Sequence, residues 1–249
     1  MVTFRDEATG PSKVIVVHQL GDIAKKHGLT LIYDAAHAFG VEFAGKSVLE
    51  YGDASAMSFH ATKVFNTMEG GAVVSGNDAV MQAVRDMRNH GIVSEEQVVA
   101  PGINAKMSEV LAAVGLCNLE DIDEKIAARK QIYEAYKERL AGVHGLTFQE
   151  LRADKYNYSY MPVLFESAAR RDATHDTLVA RGIKPRKYFY PLTVEFDYLK
   201  VEDPGKIYGI PVAVDVAERV LCLPLFPSLP EKGFEEIVRV VIDPESKAR

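Results

Sequence analysis

The stretch SFHATKVFNTMEGGAVVSG (58–76) places a lysine, Lys63, just past a short apolar strand ending in a histidine and ahead of the pair Gly70-Gly71. Such a lysine is either a solvated surface charge or a group kept for its amine. Upstream, LIYDAAHAFG (31–40) closes another apolar run with Asp34. An amine and a carboxylate at the ends of two strands suit a pyridine cofactor. Pyridoxal phosphate bonds covalently to a lysine amine, and a short, fixed carboxylate keeps its ring nitrogen protonated, so that the ring accepts electrons from a developing carbanion. Ser58, five residues before Lys63, offers a hydroxyl to a phosphate, and the glycine pair permits close backbone approach behind the loop. Each residue also has an ordinary reading: Asp34 as an N-cap, Lys63 as a surface charge, His37 and His60 as helix-face or core histidines. The ordered pairing of DAAHAFG with SFHATK, each behind a strand, favours the chemical one.

These residues need a sheet to position them. VIVVH (14–18) and LTLIYDAA (29–36) read as strands, separated by the amphipathic DIAKKHG, in which Gly28 suits a helix end. That βαβ pattern predicts a parallel sheet covered on both faces, with ligands at the carboxyl ends of its strands. ASAMSFH (54–60) and GAVVSG (71–76) read as a third and fourth strand. A helix over about 77–90 and an apolar helical stretch, MSEVLAAVGLCNL, follow. Leu119, Ile122, Ile126, Tyr133, Tyr136 and Leu140 recur at helical spacing and predict a long helix linking two lobes, with Gly142 as its stop. Strands LTFQE and YSYMPVLF, a helix over about 171–181, the extended KPRKYFYPL, the strand VLCLPLF and a helix after Pro230 read as a smaller α+β lobe. The expected division is 1–117, part of a large cofactor-binding domain, and 118–249, the linking helix with a small C-terminal domain.

The composition narrows the function classes. With 249 residues, 47% of them apolar, the chain can bury a sizeable core. Its net charge of −6 is interspersed rather than blocked, which leaves no electrostatic footprint for nucleic acid. Cys117 and Cys222 stand far apart in apolar surroundings and read as buried thiols in a reducing, cytoplasmic setting. Neither a signal peptide nor an apolar run of spanning length is visible, and no metal site is among the candidates.

In LIYDAAHAFG, SFHATKVFNTMEGGAVV, RNHGI and GINAKMSEVLAAVGL the chain resembles the DegT-type sugar-nucleotide aminotransferases. The resemblance continues through GIKPRKYFYPLT and VLCLPLF, over about residues 13–240, and is strongest to members that make 4-amino-4,6-dideoxy sugars on dTDP. It implies an α/β architecture, the fold type I of pyridoxal phosphate-dependent transferases, with a smaller C-terminal α+β domain. The implied activity moves an amino group from glutamate to a nucleoside-diphosphate keto-sugar, dTDP-4-keto-6-deoxyglucose in these members. Carried over by residue, Lys63 becomes the Schiff-base lysine and proton shuttle, and Asp34 the partner of the pyridinium nitrogen. His37 takes the position beside the cofactor ring, and Ser58 binds its phosphate. Asn104 matches an asparagine that reaches the phosphate of the neighbouring subunit, which implies a homodimer with shared active sites. Lys106 stands where an arginine is usual and is a candidate for the substrate diphosphate; Tyr188 is a candidate on the substrate side. Asn104 also suits turn chemistry, Lys106 a loop charge, and Tyr188 with Tyr190 core aromatics.

The pattern begins at VIVVH and has only QLG where the family carries a longer stretch, so the first strands, a phosphate loop and the aromatic over the pyridine have no counterpart. The expectation is an incomplete large-domain sheet and weak or no pyridoxal phosphate binding by this chain alone. The alternative to an active transaminase is thus an inactive fragment that keeps only the dimerisation surface. A family dehydratase would carry histidine in place of Lys63, and no G-x-G-x-x-G follows a strand to support a Rossmann-type binder.

Overall fold

A computed structural model describes residues 17–198 and 209–246, which divide by their contacts into two compact units. The first holds residues 17–126 with 152–159, and the second holds 127–151 with 160–198 and 209–246.

The first unit opens with helix α1 (Val17–His27). A strand was expected over VIVVH; residues 14–16 lie outside the described residues, and 17–18 already form the start of this helix. The reason lies downstream, where LGDIAKKH keeps helical periodicity, buries Ala24 and ends in Lys25, Lys26 and His27, which complement the carboxyl end of the helix dipole. Strand β1 (Ile32–Asp34) follows, then the hairpin β2 (Glu42–Phe43) and β3 (Lys46–Ser47), and then β4 (Ala54–Ser58) and β5 (Gly71–Val74).

β4 lies at the centre of the sheet, with β1 on one side and β5 on the other. β1 and β4 run parallel, pairing Asp34 with Ala56, as the sequence predicts. β5 runs antiparallel, pairing Ser58 with Gly71 and Ser55 with Val74, so the sheet is mixed rather than parallel. The connection explains the reversal: loop 59–70 contains no crossover helix, and without one the chain re-enters beside β4 in the opposite direction.

Helix α2 (Asp78–Arg88) starts where the Asn77 side chain accepts hydrogen bonds from the N–H groups of Ala79 and Val80. A small hairpin, β6 (Ile92–Ser94) with β7 (Gln97–Val98), leads to α3 (Glu109–Glu120), capped by Ser108. The expected helix from Leu119 breaks at Asp121, and α4 occupies Ile122–Arg139. Of its predicted stripe, Ile122, Tyr133, Tyr136 and Leu140 are buried, whereas Leu119 belongs to α3 and is exposed.

In the second unit an antiparallel sheet of order β10-β9-β8 combines β8 (Leu146–Phe148), β9 (Met161–Phe165) and β10 (Val220–Leu223). Helices α5 (Ala168–Ala180), α6 (Pro211–Arg219) and α7 (Glu231–Ile242) accompany it. The sequence reading leaves α6 unassigned, although Pro211 at its first turn is a recognisable start. Met161, Val163 and Phe165 of β9, Leu221 of β10, Leu178 of α5 and Val240 of α7 are fully buried and form this unit's core. Tyr136 of α4 joins them, its hydroxyl donating to the Pro224 carbonyl at 3.0 Å and its ring 4.6 Å from that of Phe234.

The two thiols differ from expectation in one case. Cys222 is buried and its titration is pushed up to about 12 by that burial, which makes it inert. Cys117 is exposed, because α3 turns Gly115 inward and leaves Leu116 and Cys117 facing out.

Candidate active site

Asp34 and Ser58 stand at the carboxyl ends of the two parallel strands, where ligands of such sheets collect. Beyond Asp34 the chain turns at once: Ala35 N–H donates to the Ala56 carbonyl at 2.8 Å, and Ala36 N–H to Asp34 Oδ1 at 3.0 Å. Turns rather than a helix occupy 36–40, so Asp34 is not a helix N-cap, and its side chain remains at the surface.

The turn carries His37 to the lysine. His37 Nε2 lies 3.1 Å from Lys63 Nζ, and both residues are half-buried. Burial pushes the titration of His37 below the ordinary histidine range; the Lys63 charge pushes the same way, and Asp34 opposes them. The imidazole is therefore neutral at neutral pH. A neighbour from 120 residues along the chain holds this turn: Nδ2 of the buried Asn157 donates to the carbonyls of His37 and Phe39 at 2.9 and 2.8 Å. Asn157→Ala should strand both carbonyls and cost about 1–3 kcal/mol in a urea titration. An unchanged midpoint would show the contact to be idle.

Loop 59–70 presents Lys63. Phe59 N–H donates to the Gly70 carbonyl at 2.8 Å and Thr67 N–H to the Phe59 carbonyl at 2.9 Å, which closes the loop, while Lys63 N–H donates to the His60 carbonyl at 2.9 Å. Buried Phe65 packs edge-on against Phe59 and stacks on Phe39 at 4.6 Å, joining the lysine loop to the His37 turn. The close approach expected at the glycine pair is present: a Cβ on Gly70 would sit 2.4 Å from Thr67 Oγ1, and one on Gly71 2.6 Å from the Met57 carbonyl oxygen. Ser58 Oγ accepts from the His60 N–H at 3.3 Å.

Four of the predicted residues thus meet at one sheet end: Asp34, His37, Ser58 and Lys63. Asn104 and Lys106 belong to a second cluster of the same unit, organised by Asn89 at the end of α2. Asn104 bridges to Asn89 through its backbone, and Lys106 Nζ donates to Asn89 Oδ1 at 2.9 Å. Lys106 thus has a neutral amide partner while remaining exposed in a loop. The cluster abuts the lysine loop, since Met107 Cε would lie 2.7 Å from a Cβ on Gly70. Asn157 and Asn89 were not among the candidate residues: the first carries no local signal in KYNYSY, and the second sits within the quoted RNHGI.

Tyr188 lies in the second unit. It lines a cavity of about 670 Å³ with His175, Arg186, Lys187, Phe189 and Phe196. Its hydroxyl accepts from Arg186 at 2.5 Å, and its ring meets that of Tyr160 edge-on at 5.2 Å. Tyr188 is half-buried on this cavity rather than packed in the core.

Residues 13–242 match the model of the DegT/DnrJ/EryC1/StrS aminotransferase family. The chain belongs to that family. It is 40% identical to dTDP-4-amino-4,6-dideoxy-D-glucose transaminase of Shigella dysenteriae over 89% of its own length and 61% of that protein's. To the Escherichia coli protein of the same name it is 36% identical, over 91% of this chain and 62% of the other. Among solved structures it resembles DesI in the presence of its TDP-sugar product, with 34% identity, a TM-score of 0.78, and coverage of 93% of this chain and 58% of that one. The chain thus spans about three fifths of the length of the relatives it matches. The α/β, fold type I class expected from the sequence is the fold of these aminotransferases, and pyridoxal phosphate is the cofactor that membership indicates.

Proposed function

We propose that this chain is a pyridoxal phosphate-dependent sugar-nucleotide aminotransferase that passes the amino group of glutamate to dTDP-4-keto-6-deoxyglucose. The observation that carries the reading is the meeting of Lys63 with Asp34, His37 and Ser58 at the carboxyl end of the β1–β4 pair, in a chain of this family. The donor set fits the cofactor: an amine beside a neutral imidazole, a surface carboxylate on a strand end, and a hydroxyl at the neighbouring strand end. Bound there, pyridoxal phosphate supplies an electron sink.

Lys63 Nζ would hold the cofactor covalently and move a proton at the reacting carbon. The Asp34 carboxylate would keep the ring nitrogen protonated, His37 would serve the ring, and Ser58 Oγ would donate to the phosphate. Asn104 serves the phosphate of a neighbouring subunit, Lys106 a substrate diphosphate, and Tyr188 the substrate side. In this reading 1–117 is the cofactor-binding part, 118–249 the linking helix and small domain, and the setting is cytoplasmic. A homodimer is supported by the individual exposure of the apolar residues Val98, Ile103, Val110 and Leu116, at 67, 68, 69 and 67%.

The names of the relatives at 40 and 36% identity support the choice of sugar. Against the weak cofactor binding expected from the sequence for this chain alone, the reading requires that the purified chain, given pyridoxal phosphate, glutamate and dTDP-4-keto-6-deoxyglucose, release 2-oxoglutarate and that borohydride fix the cofactor to Lys63. Absence of turnover with every keto-sugar nucleotide would sink the reading.

A second reading, an inactive chain that keeps the assembly surface, is favoured by the 66% exposure of Ile32 on β1, an edge strand among the described residues. A dimer in sedimentation with no visible absorption band after cofactor addition would select it.

A further inference from the structure

A protonated lysine amine has three N–H donors and no acceptor. At 3.1 Å from Lys63 Nζ, His37 Nε2 therefore makes a hydrogen bond only as an acceptor, with the ring proton on Nδ1. An imidazolium has N–H donors at both nitrogens; facing an ammonium, it would lose the bond and repel the charge. The contact is thus conditional on the protonation of one ring.

The ring is well placed to exercise that condition. Its backbone is tied by Asn157 to a segment 120 residues away, and its turn is joined to the lysine loop by the stacked pair Phe39 and Phe65. Lys63 in turn rises from a loop closed by backbone bonds at both ends, so the reach between Nζ and Nε2 is set by two anchored pieces of chain. Among the charged groups acting on the ring are Lys63 from loop 59–70 and Asp34 from the end of β1, and segment 152–159, which also carries Arg152, Asp154 and Lys155, reaches the carbonyls of the turn through the uncharged Asn157.

We propose that His37 is a positioning residue for Lys63: its Nε2 accepts a hydrogen bond that seats the amine, and protonation of the imidazole unseats it. This adds a pH-dependent control to the site and is distinct from any contact of His37 with the cofactor. It rests on Lys63 being the reactive amine, as read above, but its test needs no cofactor. Since burial and the Lys63 charge both lower the titration of His37, the seat is intact at neutral pH and is lost only as pH falls below the ordinary histidine value of about 6.5.

The test is nitrogen-15 NMR of the histidine rings in the chain without added cofactor. His37 should show Nδ1 protonated and Nε2 bare at neutral pH, with a midpoint below about 6.5. Lys63→Met removes a nearby positive charge and should raise that midpoint. In a carbon-13 lysine-labelled sample, the Lys63 Cε signal of the wild type should follow the same titration. In His37→Gln, whose amide oxygen accepts but does not titrate, that step should vanish. Either a midpoint unmoved in Lys63→Met or a Lys63 step that persists in His37→Gln overturns the proposal. The second variant keeps the test independent of any effect of Lys63→Met on folding. A chain that took up no pyridoxal phosphate would sink the aminotransferase reading and leave this coupling standing.

Discussion

Lys63→Met is expected to abolish the borohydride-fixed adduct and to lower 2-oxoglutarate release at least about a thousandfold, a loss of about 4 kcal/mol of transition-state stabilisation. Two contributions disappear together. A positioned proton shuttle is worth about 10²–10⁴ by itself, and the covalent hold that orients the cofactor goes with it. Methionine has nearly the length of lysine and no amine, so it fills the space between loop 59–70 and His37 without the chemistry. The fold should survive, because the loop is closed by backbone bonds from Phe59 and Thr67 and by the packing of Phe65, none of which uses the Lys63 side chain. Lys63→Arg should be nearly as inactive: its guanidinium keeps the charge but does not release its proton. Assay of 2-oxoglutarate beside a thermal melt checks both halves. A folded Lys63→Met protein with activity within tenfold of wild type would remove Lys63 from the reaction.

The largest expected loss of stability comes from Gly91→Ala. Gly91, in RNHGI, has φ +75°, and a Cβ there would sit 1.7 Å from the Ala100 carbonyl oxygen. Its own carbonyl accepts from Val99 N–H at 2.9 Å, and its N–H donates to the Asp86 carbonyl at 2.8 Å, so it links the end of α2 to the segment that continues to Asn104. Alanine adds about 1–2 kcal/mol of left-handed backbone strain and about 1–3 kcal/mol of overpacking. Because the clash is with backbone, no rotamer relieves it. A loss of about 2–5 kcal/mol in urea unfolding is expected, with displacement of the Asn104 and Lys106 cluster. A melt identical to wild type would show that residues 91–104 are not held as described.

Much of the architecture is carried by local chemistry. Asn77, Ser108 and Ser167 mark the starts of α2, α3 and α5 because a side-chain oxygen there satisfies the first N–H groups of a helix wherever that helix later packs. Runs such as ASAMS and GAVV read as strands for a similarly local reason. Strand direction is not local. An apolar run looks the same in either sense, so the antiparallel placement of β5 emerges only from a loop that returns without a helix. The same limit explains Cys117: α3 is apolar around its circumference, and which side packs inward depends on the close approach at Gly115, where a Cβ would lie 2.7 Å from Thr67.

At the site, the types and order of Asp34, Ser58 and Lys63 already name a chemistry, because a lysine amine and a carboxylate behind successive strands suit few cofactors. Contacts between distant segments are another matter. That His37 turns Nε2 to Lys63, and that Asn157 secures the turn from 120 residues away, follow from how separate stretches close on each other in space, a long-range outcome that no residue spacing encodes.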